Sequence, residues 1–156
     1  MKTIRKDILI ISLLFPVAIG QLSSLIAGNS AQIYNQINRP AFAPAAIVFP
    51  IIWTILYLLM GISSYLIYMS DSPDKDTALS VYIVQLFLNF LWPIIFFRFG
   101  NYLLALLCLI LLIIAVVIMI KRFYQINRTA ALLQIPYLIW CIFAALLNYS
   151  VYTLNR

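Results

Sequence analysis

Five long intervals of this chain contain no charged residue, and their lengths limit what it can fold into. No Lys, Arg, Asp or Glu occurs within residues 8–27, 47–69, 79–97, 102–120 or 129–154. A helix crossing a bilayer needs about 20 mainly apolar residues, and each interval supplies one. Of the 156 residues 65% are apolar or aromatic and 9% are charged. Soluble domains carry about 25% charged residues, and a soluble domain of this size could not enclose so much apolar surface in one core. The sequence therefore predicts an all-α, polytopic membrane protein: a single five-helix transmembrane bundle over residues 1–156, with the five intervals as its spans.

The missing residue types narrow the chemistry. The chain has no His and no Glu, and its acidic residues are four Asp. Imidazole metal sites, histidine general bases and glutamate proton carriers are thereby excluded, so the expected metal ligands are none and no resident cofactor is designated. Four glycines, none clustered, leave no phosphate-cradling loop. Cys108 and Cys141 lie in apolar runs without a spacing motif and read as small core residues.

Lys2, Arg5 and Lys6, the apolar run from Ile8 and the small residues Ala18-Ile19-Gly20 imitate a cleavable signal peptide. Apolar character resumes at Leu25-Ile26-Ala27, which suits an uncleaved first helix. Lys2, Arg5, Lys6, Lys75, Lys121, Arg122 and Arg128 fall on one side of the bundle, against Arg39, Arg98 and Arg156 on the other. The positive-inside rule then places the amino end in the cytoplasm and the carboxyl end outside. That topology accounts for the net charge of +6 without a nucleic-acid partner.

Polar and aromatic residues gather on particular helix faces. Phe49, Trp53 and Tyr57 recur every four residues on the second span, and Pro136, Trp140, Ala144, Asn148 and Tyr152 on the fifth. Gln85 and Asn89 form an amide pair one turn apart on the third, followed by Trp92 and Pro93. Such stripes serve helix packing, with amides bonding across helices, or they wall a site that must be built without ionisable groups. The fourth span is uniformly aliphatic apart from Cys108, as suits a helix facing lipid or a partner subunit. Pro16, Pro50, Pro93 and Pro136 place one proline in four of the five spans, each able to free a carbonyl and permit a kink. The first loop, residues 28–46, is long, carries Tyr34, Asn38, Arg39, Pro40, Phe42 and Pro44, and suits a lid over the bundle mouth.

The stretches Asn38-Arg39-Pro40-Ala41-Phe42-Ala43-Pro44 and Phe49-Pro50-Ile51-Ile52-Trp53-Thr54-Ile55-Leu56-Tyr57 resemble the tryptophan-rich sensory protein and translocator protein family, also called peripheral-type benzodiazepine receptors. Gln85 to Phe97 is similar to its third-helix signature, and Pro136 to Tyr149 to its fifth. The resemblance implies a five-helix bundle, commonly a homodimer in the lipid bilayer of a bacterial cell membrane. It implies binding of protoporphyrin, haem-like tetrapyrroles and synthetic benzodiazepine or isoquinoline ligands in a pocket beneath the first loop. Carried over residue by residue, Tyr34, Pro44, Phe49, Trp53, Asn89, Trp92, Trp140, Ala144 and Asn148 would bind or shape the ligand. Trp53 and Trp140 would serve any light- and oxygen-dependent degradation of bound porphyrin. The chain departs from the family pattern at Phe42, normally Trp, at Ala45, normally a second Pro, and at Thr153, normally basic. Leu147, Tyr152 and Arg156 meet a loose sterol pattern only by sliding, so sterol recognition is disfavoured.

The leading expectation is thus a membrane receptor for a flat, apolar tetrapyrrole. Aromatic walls would hold the ring, with Tyr34, Asn89 and Asn148 offering hydrogen bonds to its polar edges. With no histidine available for axial ligation, metal-free porphyrin should bind. Photo-oxidative turnover would draw its chemistry from the pigment. Passive transport of porphyrin or sterol-like cargo, and a purely structural role, are the alternatives; ion-coupled transport is disfavoured by the lack of intramembrane charge and inverted repeats.

Overall fold

The computed structural model describes residues 4–156, and Lys2, one of the basic residues that set the expected orientation, lies outside the described residues. Five long apolar helical spans, each able to cross a membrane, make up the bundle: Lys6–Ala27, Val48–Tyr68, Lys75–Arg98, Tyr102–Ile126 and Arg128–Leu154. No strand occurs among the described residues. In chain order the helices are α1 (Lys6–Ala27), the short α2 (Ser30–Gln36) inside the first loop, α3 (Val48–Tyr68), α4 (Lys75–Pro93), α5 (Tyr102–Ile126), the short α6 (Arg128–Leu132) and α7 (Ile135–Leu154). At 1.5 Å rise per residue, 21 to 27 residues per span reach about 30–40 Å, enough for the hydrocarbon core. The protein is an integral, multi-pass membrane protein.

The prolines do less bending than their spacing suggests. Pro50 and Pro136 sit in the first turns of α3 and α7, where the missing N–H has no intrahelical acceptor to lose. Pro136 still shapes the chain, because a prolyl nitrogen cannot donate to a carbonyl one turn back. The fifth span is accordingly two pieces, α6 and α7, joined through Leu133 and Gln134, and not the continuous helix expected over 129–154. Pro93 ends α4 and is followed by a π-helical turn, Ile94–Arg98, closed by Phe99 N donating to Ile94 O at 3.1 Å and Asn101 N to Ile95 O at 3.2 Å. Pro16 lies well inside α1, and Pro93 lies inside the third span, which continues through the π turn to Arg98.

Gly100, at φ +60°, reverses the chain between this turn and α5. The Asn101 side chain then caps α5 by accepting from Leu104 N at 3.0 Å.

The aliphatic α5 is a central packing helix as well as a lipid-facing one. Ala105, Cys108, Leu109, Leu112, Ala115, Val116, Met119 and Phe123 form a buried stripe at the three-to-four spacing of one helix face. That stripe packs against α4 and α7, while Leu107, Ile110, Leu111, Ile114 and Ile118 point outward.

The first helix, whose composition imitates a signal peptide, is packed into the bundle. It packs along α3 and α4, and the Ser23 hydroxyl donates to Phe90 O at 2.7 Å. The α1–α3 crossing is set by two glycines. A Cβ on Gly61 would lie 2.6 Å from Ser12 O and 2.7 Å from Leu13 Cα, both backbone atoms of α1, and one on Gly20 would lie 2.3 Å from the Tyr57 ring.

In an isolated helix, alanine is favoured over glycine by about 1 kcal/mol. At Gly61 the order is expected to invert: Gly61→Ala should destabilise the detergent-solubilised protein by about 1–3 kcal/mol, read as a lower thermal midpoint. A midpoint at or above that of the parent would contradict the close approach.

Candidate functional site

A cavity of about 600 Å³ lies between the first loop and the adjoining halves of α1, α3 and α4. Gly20, Gln21 and Ser24 of α1 form one wall. Phe49, Pro50, Trp53, Thr54 and Tyr57 of α3 form the second, and Asn89, Trp92, Pro93 and Phe97 line the third. The loop closes it with residues 28–31, Tyr34, Ala46 and Ile47. The four-residue spacing of Phe49, Trp53 and Tyr57 delivers three rings to one side because α-helical residues four apart share a face. The π turn after Pro93 widens the backbone where Phe97 reaches the cavity, and such turns recur at functional sites.

The rings are ordered by contact. Trp53 stacks on Tyr57 with centroids 5.5 Å apart and meets Tyr137 edge-on at 6.1 Å. Tyr34 meets Phe49 edge-on at 5.0 Å. Phe49 in turn meets Trp140 at 5.8 Å, and Trp140 packs on Phe143 at 5.2 Å.

Five of the nine residues expected at the site, Tyr34, Phe49, Trp53, Asn89 and Trp92, line the cavity. Trp140, Ala144 and Asn148 lie on α7, outside the lining, and Trp140 contacts the lining residue Phe49. The Trp140 indole nitrogen is buried without an acceptor among the described residues. Pro44 accepts the Tyr34 hydroxyl at 2.8 Å and faces a separate shallow depression bounded by residues 37–40 and 43–45. Phe42, at the position of the family's loop tryptophan, packs 6.3 Å from Phe143, away from the cavity.

Each polar group expected to meet a ligand has partners within the protein. Tyr57 Oη donates to Asn89 Oδ1 at 2.7 Å, Asn89 Nδ2 donates to Tyr137 Oη at 3.0 Å, and Tyr137 Oη donates to Gln85 Oε1 at 2.7 Å. The amide pair seen on α4 is thus bridged by a tyrosine of α7 that sequence spacing did not single out. Asn148 accepts from Trp92 Nε1 and donates to Tyr102 O, both at 2.9 Å. Asn89 and Asn148 therefore tie helices together and orient rings, and Asn89 also lines the cavity.

Tyr34 is likewise engaged by Pro44, with the Arg39 guanidinium carbon 4.5 Å from its ring centroid. Burial raises the Tyr34 phenol above its usual pKa, a shift that Arg39 opposes. The polar side chains left at the wall include Gln21, Ser24 and Thr54, the last already donating to Pro50 O at 2.7 Å. Gln21, Ser24, Thr54 and Tyr57 were absent from the expected site. Tyr57 was visible as the end of the aromatic stripe, whereas the α1 residues carry no signal until the α1–α3 approach is known.

A model of the TspO/MBR family matches residues 12–154. The chain is 38% identical to the tryptophan-rich protein TspO of Archaeoglobus fulgidus, over 94% of this chain and 96% of that one. It is 34% identical to the translocator protein of Homo sapiens, over 86% of this chain and 81% of that one. Protein CrtK of Rhodobacter capsulatus is 32% identical, over 78% of each chain.

The Tyr57–Asn89–Tyr137–Gln85 chain makes a measurable demand. Tyr137→Phe strips two buried amides of a partner at once and should cost about 1–3 kcal/mol. Tyr57→Phe, whose hydroxyl is at the cavity end, should cost less. Thermal midpoints of the two variants in one detergent test this, and equal midpoints for Tyr137→Phe and the parent would contradict it.

Proposed function

We propose that this chain, which belongs to the TspO/MBR family, is a membrane receptor for a flat, largely apolar ligand of the tetrapyrrole class, held between α1, α3 and α4 beneath the first loop as lid. The observation carrying this reading is the cavity itself, about 600 Å³ and walled by Phe49, Trp53, Tyr57, Trp92 and Phe97. Ligand pockets span about 300–1,000 Å³ and are mainly apolar with a few placed polar groups. Aromatic faces favour a planar π system by offset or edge-on contact. Tyr57 and Trp92 are held by amides of the bundle, so these rings are fixed before a ligand arrives, which lowers the entropy lost on binding. No imidazole is present to ligate a metal axially, so the reading requires that metal-free protoporphyrin binds.

The same wall supports a second reading, light- and oxygen-dependent degradation of the bound pigment. The lining holds no carboxylate, thiol or imidazole, and the excited porphyrin and dioxygen would carry the chemistry. Of the two indoles that the family resemblance ties to this chemistry, Trp53 is the better placed to exchange an electron with the ring, because it lines the cavity and Trp140 does not.

Titrating metal-free protoporphyrin into purified protein while following tryptophan fluorescence tests the first reading. Trp53→Ala should weaken binding by roughly tenfold, the order expected for loss of one large aromatic contact, and Trp140→Ala by less. Unchanged affinity in Trp53→Ala would contradict it. Under illumination, Trp53→Phe should lower the yield of degraded porphyrin more than Trp140→Phe does; equal yields in both and in the parent would exclude Trp53 and Trp140 from the reaction.

A further inference from the structure

The cavity lies toward the face of the bundle that carries cations and no acidic side chain. Following the five spans back and forth puts Arg39, Arg98 and Arg156 on the face of the first loop, and all four aspartates, Asp7, Asp71, Asp74 and Asp76, on the opposite face. On the aspartate side, Arg5 is paired with Asp7 at 2.8 Å. On the loop side no such partner exists among the side chains. The side-chain charges on the loop side are therefore all positive, and a low-dielectric rim strengthens the effect of such charges on an anion.

Arg98 is tied to the cavity's border by its place in the chain and by its hydrogen bond. It follows Phe97, which lines the cavity, and its Nη1 donates at 2.9 Å to the carbonyl of Ile26, which lies between the lining residues Ser24 and Gly28. The guanidinium thus spans the seam between the end of α1 and the π turn, at the rim. One carbonyl uses a single donor of a group that has five N–H bonds in a planar fork suited to carboxylate. Arg39 lies over the ring of Tyr34, 4.5 Å from its centroid, and borders the separate depression on the other side of the loop. Arg156 lies over Tyr152, 5.5 Å from its centroid, on α7.

We infer that the site selects ligands that combine a flat apolar body with a carboxylate at one edge, and that Arg98 is the specificity-determining residue that receives this carboxylate at the rim. The inference rests on the receptor reading above and deepens it. The apolar body enters between the rings, where no charge could be tolerated. The acid edge stays at the mouth, where water and the guanidinium both reach it. The ring network sets how far the body can enter, and the arginine fixes which edge faces out. An anionic phospholipid headgroup offers similar chemistry, so the test separates the two sources.

The experiment compares protoporphyrin, a dicarboxylic acid, with its dimethyl ester, binding to the full chain in neutral detergent. The parent should prefer the diacid by about three- to tenfold, the range expected of one partly exposed charge-assisted contact, and raised salt should shrink the preference. Arg98→Gln should bring the preference close to one by weakening the diacid alone, with the ester affinity serving as the control for folding. Arg98→Lys should recover part of it, and Arg39→Gln should reduce it less than Arg98→Gln. Equal binding of diacid and ester by the parent, or an unchanged preference in Arg98→Gln, would overturn the inference while leaving the receptor reading in place. Loss of the preference on adding equimolar anionic phospholipid would assign Arg98 to a lipid headgroup and also overturn it. If neither porphyrin binds, the receptor reading fails, and the inference with it.

Discussion

The fold depends on one buried hydroxyl. Tyr137 of α7 is fully enclosed, and its oxygen joins Gln85 and Asn89 on α4, with Asn89 in turn held by Tyr57 on α3. In a bilayer the hydrophobic effect does not drive helices together, because lipid tails are as apolar as leucine, so packing and interhelical hydrogen bonds must define the arrangement. A chain with no charge inside its spans has only neutral groups with which to do so. The Tyr–Asn–Tyr–Gln chain ties three helices at one level. The Trp92–Asn148–Tyr102 chain ties α4, α7 and the start of α5 at another. Both end at rings of the cavity wall, so the interactions that define the bundle also fix the shape of the site.

The two halves of the bundle divide the work. Toward the aspartate-bearing face α1 and α3 press together at Gly61, with no room for a side chain. Toward the loop the same helices supply opposite walls of the cavity, from Gly20 and Tyr57 outward. The loop is braced within itself and against the end of α7. Tyr34 donates to Pro44, and the Asn38 backbone exchanges two hydrogen bonds with the Asn155 side chain, at 3.0 Å and 2.8 Å, just beyond α7. Cavity, loop and unpaired arginines thus share one end of the molecule, and the lipid-facing aliphatic surface of α5 takes no part in it.

The five spans were legible in the sequence because charge exclusion from hydrocarbon is a strong, local rule. The aromatic stripe of α3 was legible for a similar reason, since helical periodicity alone puts Phe49, Trp53 and Tyr57 on one face. What sequence could not supply was the partner of each polar group. Asn89 and Asn148 read as donors to a ligand until their acceptors and donors within the bundle were located, and Tyr137 carried no periodic signal at all. Trp140 shares a helical stripe with Ala144 and Asn148, yet Trp140 meets Phe49 and Asn148 meets Trp92 and Tyr102, and none of the three lines the cavity. The break at Leu133 and Gln134 followed from Pro136, whose effect depends on where the helix begins, and helix ends are the part of a sequence least defined by periodicity. The role of Gly20, Gln21 and Ser24 arises from the α1–α3 crossing, a relation between segments some 35 residues apart.

The central claim is that a planar ligand sits against Trp53, within α1, α3 and α4, and does not reach Trp140. Fluorine NMR of protein labelled with 5-fluorotryptophan, titrated with metal-free protoporphyrin, reads the three indoles separately through the ring current of the macrocycle. The account predicts the largest shift at Trp53, a smaller one at Trp92 and the smallest at Trp140. A dominant shift at Trp140 with Trp53 unmoved would contradict it.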